Sequence, residues 1–216
     1  MEPKSYRILV FVFALLILSG CSLLNTPVVQ TASHVVGTNK KNNYRLDPNF
    51  KFLRVVTKDG REIFLALGNI DNGTQVWYSA TREVLRLRDG RIAGASGLFT
   101  EWRNVVLPEF PSWASLSSLQ IAYKWTRVRD VMPGYQYGIR DQLLLHKVAA
   151  PKSSELTGIS PDTLIWFEED DTTSQADTLP PARYALDPIT HEVVYGDTCL
   201  STTTCFSWQR WPESAQ

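Results

Sequence analysis

From residue 52 onward the chain is patterned in short apolar runs broken by turn residues. The segments 52–58 (FLRVVTK), 61–67 (REIFLAL) and 75–79 (QVWYS) are rich in β-branched and aromatic residues, which suit strands. Asp59-Gly60 separates the first two, and Asn72-Gly73 precedes the third. Such dipeptides supply the positive φ angles of tight hairpin turns. Residues 83–88 and 91–95 form a third hairpin around Asp89-Gly90, with Val84, Leu85 and Leu87 set against Arg86 and Arg88. Pro108 and Pro111 break any long element over 99–111, and 112–119 can hold a short helix or turn. Residues 120–131 place Ile121, Tyr123, Trp125 and Arg127 at period two, as in a strand. Residues 135–148 predict another, bent at Gly138. Short strands follow at 164–168, 182–186, 192–195 and 206–211, with 187–190 as a turn. The stretch 168–181 (EEDDTTSQADTLPP) reads as an acidic loop. No amphipathic helix of convincing length appears. The expected fold is mainly β: a large antiparallel meander curled on itself, half-barrel or sandwich-like, with few short helices.

The N-terminus is patterned differently. Lys4 and Arg7 precede an unbroken apolar run, 8–18, and then Leu18-Ser19-Gly20-Cys21. A basic start, a short apolar core and small residues before a cut site make an export signal. The run is too short to span a bilayer, which takes about 20 residues. LSGC resembles the lipobox of bacterial lipoproteins, in which the cysteine is acylated after cleavage. Residues 1–20 are therefore expected to be removed, and Cys21 to carry the lipid. Two or more acyl chains, at about 0.8 kcal/mol per buried methylene, make a stable anchor. Ser22, where an Asp would signal inner-membrane retention, points to the outer membrane. Residues 21–43 read as anchor and flexible tether with a reach of roughly 25 Å, and 44–216 as one periplasmic β-domain.

Charge and cysteines narrow the picture further. The chain has 22 basic and 22 acidic residues, so it lacks the basic surface that a nucleic-acid partner needs. Cys199 and Cys205 are the other two cysteines, and in an oxidising compartment they are expected to pair. Their spacing does not match a CxxC redox motif, and no histidine lies at ligand spacing.

The chain offers little that reads as catalysis. His34 lies in the tether, His146 in a strand-like run and His191 beside a turn. Gly94-Ala95-Ser96-Gly97 falls one residue short of a nucleophile elbow and does not open onto a helix. The run Glu168-Glu169-Asp170-Asp171 raises paired glycosidase carboxylates or calcium ligation, against a plain solvated loop. Adjacent carboxylates in one loop do not flank a sugar, and no EF-hand spacing is present. No zinc motif, phosphate loop or dinucleotide fingerprint occurs, so neither metal nor cofactor is expected. Seven tryptophans suit either glycan stacking or a β core. Trp77-Tyr78 and Trp102-Arg103 are the candidate surface pairs for a glycan or partner. Trp208 and Trp211 should point to opposite faces of their strand.

The lipobox together with residues 52–98 resembles the YjbF/GfcB family of outer-membrane lipoproteins, which accompany exopolysaccharide or group 4 capsule operons. Gly68, Trp77-Tyr78-Ser79 and the 84–98 hairpin with Gly90-Arg91-Ile92 and Gly97-Leu98 carry the likeness. Trp125, the strand at 164–169 and the hairpin at 187–194 extend it. The resemblance implies a non-enzymatic outer-membrane lipoprotein with no catalytic residues. Its partners would be an outer-membrane β-barrel, other polysaccharide-export proteins, or the polysaccharide itself. Two other functions compete with it. A lipid- or lipoprotein-handling module would need an apolar concave sheet around a continuous dry cavity. A glycan hydrolase would need Glu168–Asp171.

Overall fold

The computed structural model describes residues 36–38, 44–119, 121–173 and 178–211. Residues 1–20, read as an export signal, and Cys21 and His34 lie outside the described residues. Val36–Thr38 (β1), within the stretch read as tether, pairs antiparallel with Tyr44–Leu46 (β2) at the start of the expected domain. Twelve further strands follow: Phe52–Thr57 (β3), Glu62–Asp71 (β4), Thr74–Ser79 (β5), Val84–Arg88 (β6), Arg91–Ser96 (β7) and Glu101–Val106 (β8). After the short helix Trp113–Ser118 (α1) come Tyr123–Met132 (β9), Gln136–Val148 (β10), Ile165–Asp171 (β11), Ala182–Leu186 (β12), Val193–Cys199 (β13) and Cys205–Trp211 (β14).

Each strand from β3 to β14 pairs antiparallel with the next, and β14 pairs back onto β3, from Phe206↔Thr57 to Trp211↔Phe52. The expected meander is thus present and closes fully into an up-and-down barrel. Closure leaves no unpaired strand edge in the ring. The Asp59-Gly60, Asn72-Gly73 and Asp89-Gly90 turns all join neighbouring strands, and each glycine has positive φ. Gly138 also has positive φ (65°), at a register shift between β9 and β10, where the sequence places a bend.

The short strand β8 fits ahead of Pro108 within 99–111, where the prolines exclude only a long element, and pairs with β9. One region differs from expectation. Glu168–Asp171 are not a loop. They continue β11, opposite Leu143–His146 of the long strand β10, where Arg183 also binds Glu168. The thirteen-residue partner strand offers a ladder from Trp166 to Asp171, and that pairing outweighs the low strand preference of acidic residues.

Alternation decides which side chains fill the barrel. Leu53, Leu65, Trp77, Leu85, Ala95, Trp102, Leu145, Phe167, Tyr184 and Trp208 belong to one buried cluster. Twelve strands enclose more width than the roughly eight that side chains just fill. Tryptophans and arginines take up the difference. The outward positions of the same strands carry Arg54, Arg86, Lys124, Glu168 and Arg183. A membrane-spanning barrel carries an apolar band outside; this one sets those charged side chains on its outer wall and packs apolar side chains inside. Among the described residues no helix is long and apolar enough to cross a bilayer.

The connection from β10 to β11 straps the outer wall. Gln209 donates to the Thr157 carbonyl (2.8 Å) and accepts from its amide (3.0 Å), while Arg54 Nη1 donates to the Glu155 carbonyl (2.8 Å). Beneath the strap Trp166, Ala185 and Tyr195 are buried on the outside of the barrel, with Leu156 and Leu164 over them.

Candidate functional site

The barrel has one capped end and one open end. At the capped end, residues 107–119 turn back over the interior and bury Leu107, Trp113 and Leu116. Helix α1 is held by Ser112, whose Oγ accepts from the Ser115 amide (3.2 Å). Trp113 Nε1 donates to the Asp89 carbonyl in the neighbouring turn (2.8 Å). The Arg91 guanidinium sits between the Phe110 and Trp113 rings, 3.9 and 4.0 Å from their centroids. Burial pushes its pKa down from the ordinary value.

At the opposite end the hairpin turns surround a mouth. The Cys199–Cys205 disulfide is formed and clamps the turn between β13 and β14. That turn folds over the interior: Leu200 is fully buried, its carbonyl accepts from Trp102 Nε1 (2.8 Å), and Thr100 bonds Ser201 and Thr204 (3.1 and 2.9 Å). Gly97 makes the facing turn possible. Its φ is +79°, and an added Cβ would lie 2.6 Å from the Arg82 carbonyl oxygen.

Between these turns, the β9–β10 hairpin and the chain leaving β11 lies a half-open depression of about 540 Å³. That is within the size range of small-molecule sites, about 300–1,000 Å³. Beside the buried Leu200, its inner lining includes Arg129 and Asp141, with Arg127 behind them. Asp141 Oδ2 accepts from Arg127 Nε and Arg129 Nε, both at 2.7 Å, and its Oδ1 accepts from Arg129 Nη2 at 3.0 Å. Both guanidiniums stack over the Trp102 ring, 4.3 and 4.7 Å from its centroid. Burial opposes ionisation of Asp141, but the two arginines outweigh it and hold the carboxyl below its ordinary range. Deeper still, Glu169 accepts from Trp125 Nε1 (3.1 Å) and Tyr184 OH (3.3 Å). Its burial pushes its pKa up, against the pull of Arg127 and Arg91, and burial pushes that of Tyr184 up as well.

The candidate surface pairs named from sequence do not form this site. Trp77 and Trp102 are 2% and 1% exposed and are corrected here to core residues. Both occupy inward positions, and a side chain of that area is worth most where water is excluded. Tyr78 is half-buried on the outer wall, packed on Gly68, where an added Cβ would lie 2.4 Å from its ring. Arg103 is exposed and pairs with Glu101 (2.7 Å). β6 and β7 separate the two pairs. Trp208 faces the interior and Trp211 the outer wall against Phe64, as their spacing requires.

The acidic run is split by strand alternation. Glu168 and Asp170 face outward while Glu169 and Asp171 face inward, so the four do not converge on one substrate. Outside, His146, Glu168 and Asp170 bring ligand-type atoms within 4.8 Å of one another, and Arg183 Nε already holds Glu168 at 2.8 Å. His146 stands in β10 as expected, and His191 in the β12–β13 turn. The polar floor at Arg127, Arg129 and Asp141 was missed from sequence. One trace of it was visible: Arg127 continues the period-two face of Tyr123 and Trp125, where an apolar residue would ordinarily stand.

The geometry defines a class: a closed antiparallel barrel with a side-chain-packed interior and one polar, aromatic-rimmed mouth. A family profile described as "Group 4 capsule polysaccharide lipoprotein gfcB, YjbF" matches residues 38–194, and the chain belongs to that family. Among solved structures, the fold is similar to that of the hypothetical lipoprotein YmcC from Escherichia coli (K12). That likeness has a TM-score of 0.62 and 14% identity, covering 89% of this chain and 92% of the other. No curated protein matches the chain.

Proposed function

We propose that the protein is a non-catalytic outer-membrane lipoprotein that assists the assembly or export of a capsule or exopolysaccharide. It would be anchored through acylated Cys21, with its barrel in the periplasm and its mouth offered to the sugar chain or to an outer-membrane β-barrel partner. Membership of a family of group 4 capsule polysaccharide lipoproteins is the observation that carries this reading. The mouth supports it by position. The chain enters the barrel at the start of β3, at the capped end, so the open end points away from an N-terminal anchor. The competing lipid-handling reading needs interior space for acyl chains, and Trp77, Trp102, Phe167 and Trp208 occupy that space.

The test is a deletion strain with the polymer operon switched on, complemented with wild type, with Cys21→Ala, or with the outward-facing Glu168 and Asp170 changed to amides. Secreted polymer should vanish in the deletion and return with wild type and with the amide variant, but not with Cys21→Ala. Unchanged polymer in the deletion would sink the export reading. Failure of a folded amide variant alone would point to an enzyme.

A further inference from the structure

The mouth carries a more specific reading, which rests on the polysaccharide function above. We infer that it binds an uncharged stretch of glycan, gripped by Phe99 and Tyr137 on the rim.

Three observations converge on this. The first is where the exposed aromatics lie. Among the described side chains, the strongly exposed aromatic ones are Phe99 (82%), Tyr135 (74%) and Tyr137 (65%), and all three stand at the mouth. Phe99 and Tyr137 line the depression from the β7–β8 turn and from β10, and Tyr135 sits in the adjoining β9–β10 turn. Every other large aromatic described is buried or half-buried. Leaving large apolar rings in water forgoes burial that the rest of the chain exploits, so their clustering at one opening marks a contact surface. Tyr135 also has φ +53°, a conformation that bulky residues avoid. Flat rings at the rim match the C–H faces of pyranose sugars.

The second observation is that the lining charges are already committed. Asp141 is neutralised by two arginines. Asp171 spends Oδ1 on the Thr173 amide (2.9 Å) and Oδ2 on the Leu179 amide (3.2 Å). The charged residues that line the depression are Arg129, Asp141 and Asp171; Arg127 pairs with Asp141 from behind them, and with it included the charges cancel. An anionic chain would find no surplus cation there, and a cationic one no surplus carboxylate.

The third is the chemistry of the remaining wall. Thr100, Thr173, Ser201, Thr202 and Thr203 present hydroxyls, and Gln136 an amide, around the same depression. Hydroxyls and amides donate and accept, as sugar hydroxyls do. Thr100, Thr173, Ser201 and Thr203 already bond within the protein, so it is the Thr202 hydroxyl and the Gln136 amide that an acyl chain would leave without partners.

The experiment uses the full chain in detergent micelles and oligosaccharides cut from the polymer secreted by the cells that make the protein. Binding is measured before and after reduction of any uronic carboxyls to alcohols. The reduced fragments should bind at least as tightly as the native ones, with an affinity insensitive to added salt. Phe99→Ala and Tyr137→Ala should each weaken binding by about tenfold, with circular-dichroism melts unchanged. Loss of binding on carboxyl reduction would overturn the inference in favour of an anionic ligand. Binding that ignores both rim variants would place the glycan elsewhere and overturn it too. Absence of binding, with secretion still dependent on the protein, would remove this inference and leave the export function standing. Binding with secretion intact in the deletion would do the reverse.

Discussion

At the scale of single residues, the centre of the molecule is Asp141. It takes three hydrogen bonds from two buried arginines, with side-chain exposures of 2% for the acid and 6% and 5% for Arg127 and Arg129. Removing one member of a buried ion cluster leaves the other charges uncompensated, which costs about 3–5 kcal/mol. Asp141→Asn keeps the shape and loses the charge, so it should lower unfolding stability by about 3 kcal/mol at neutral pH, read by denaturant titration. The pH dependence follows from the direction of the shift. The folded carboxyl titrates below its ordinary value of 3.8, so its contribution is full above that value and is lost as pH falls through the lower folded one. The difference between wild type and Asp141→Asn should therefore persist down to the ordinary carboxylate range and shrink below it. Equal stability at neutral pH would show that the arginines find other partners. Glu169 has the opposite sign: its raised pKa makes its contribution full in acid and lost as pH rises through the folded value. Only Arg127, on the period-two face of Tyr123 and Trp125, left a trace of these environments in sequence. Arg129 and Asp141 look like ordinary polar strand residues until the ladder Arg127↔Asp141 turns all three to the same inner face.

At the scale of elements, the hairpins were legible because their signals are local. Asp-Gly and Asn-Gly turns, period-two alternation and β-branched runs act over a few residues. The misread stretch, 168–171, has its cause far along the chain, in the ladder offered by β10. The Cys199–Cys205 pair shows a second dependence on context. Spacing and compartment suggest the bond, but its use appears only where Leu200 plugs the interior and Ser201 meets Thr100. Replacing both cysteines by serine should cost about 2 kcal/mol through the freed unfolded chain. It should also weaken glycan binding at the mouth, because the turn supplies one wall. A variant with unchanged melting and unchanged binding would show that Leu200 and the Thr100 bonds hold the turn without the bond.

At the scale of the whole molecule, closure decides the rest. β14 pairs with β3 over six residues, Phe206–Trp211 against Phe52–Thr57, and neither strand announces the other. Truncating the chain before Cys205 would expose two long strand edges and the interior of the barrel. The truncated chain should lose soluble monomer on size-exclusion chromatography, whereas an independently stable open sheet would remain monomeric. By itself the sequence determined the strand-and-turn grammar, the predominance of β structure, and the family likeness, since these depend on local propensity and residue pattern. It also carried the basic start, the apolar run and the Leu18-Ser19-Gly20-Cys21 motif from which an acylated anchor is expected. The tertiary structure alone decided that the meander closes, that Trp77 and Trp102 lie inside, and that Phe99 and Tyr137 meet at one mouth above Asp141. Those facts depend on which distant strands pair and which face each side chain takes in a closed ring, and neither is encoded within a few residues of the chain.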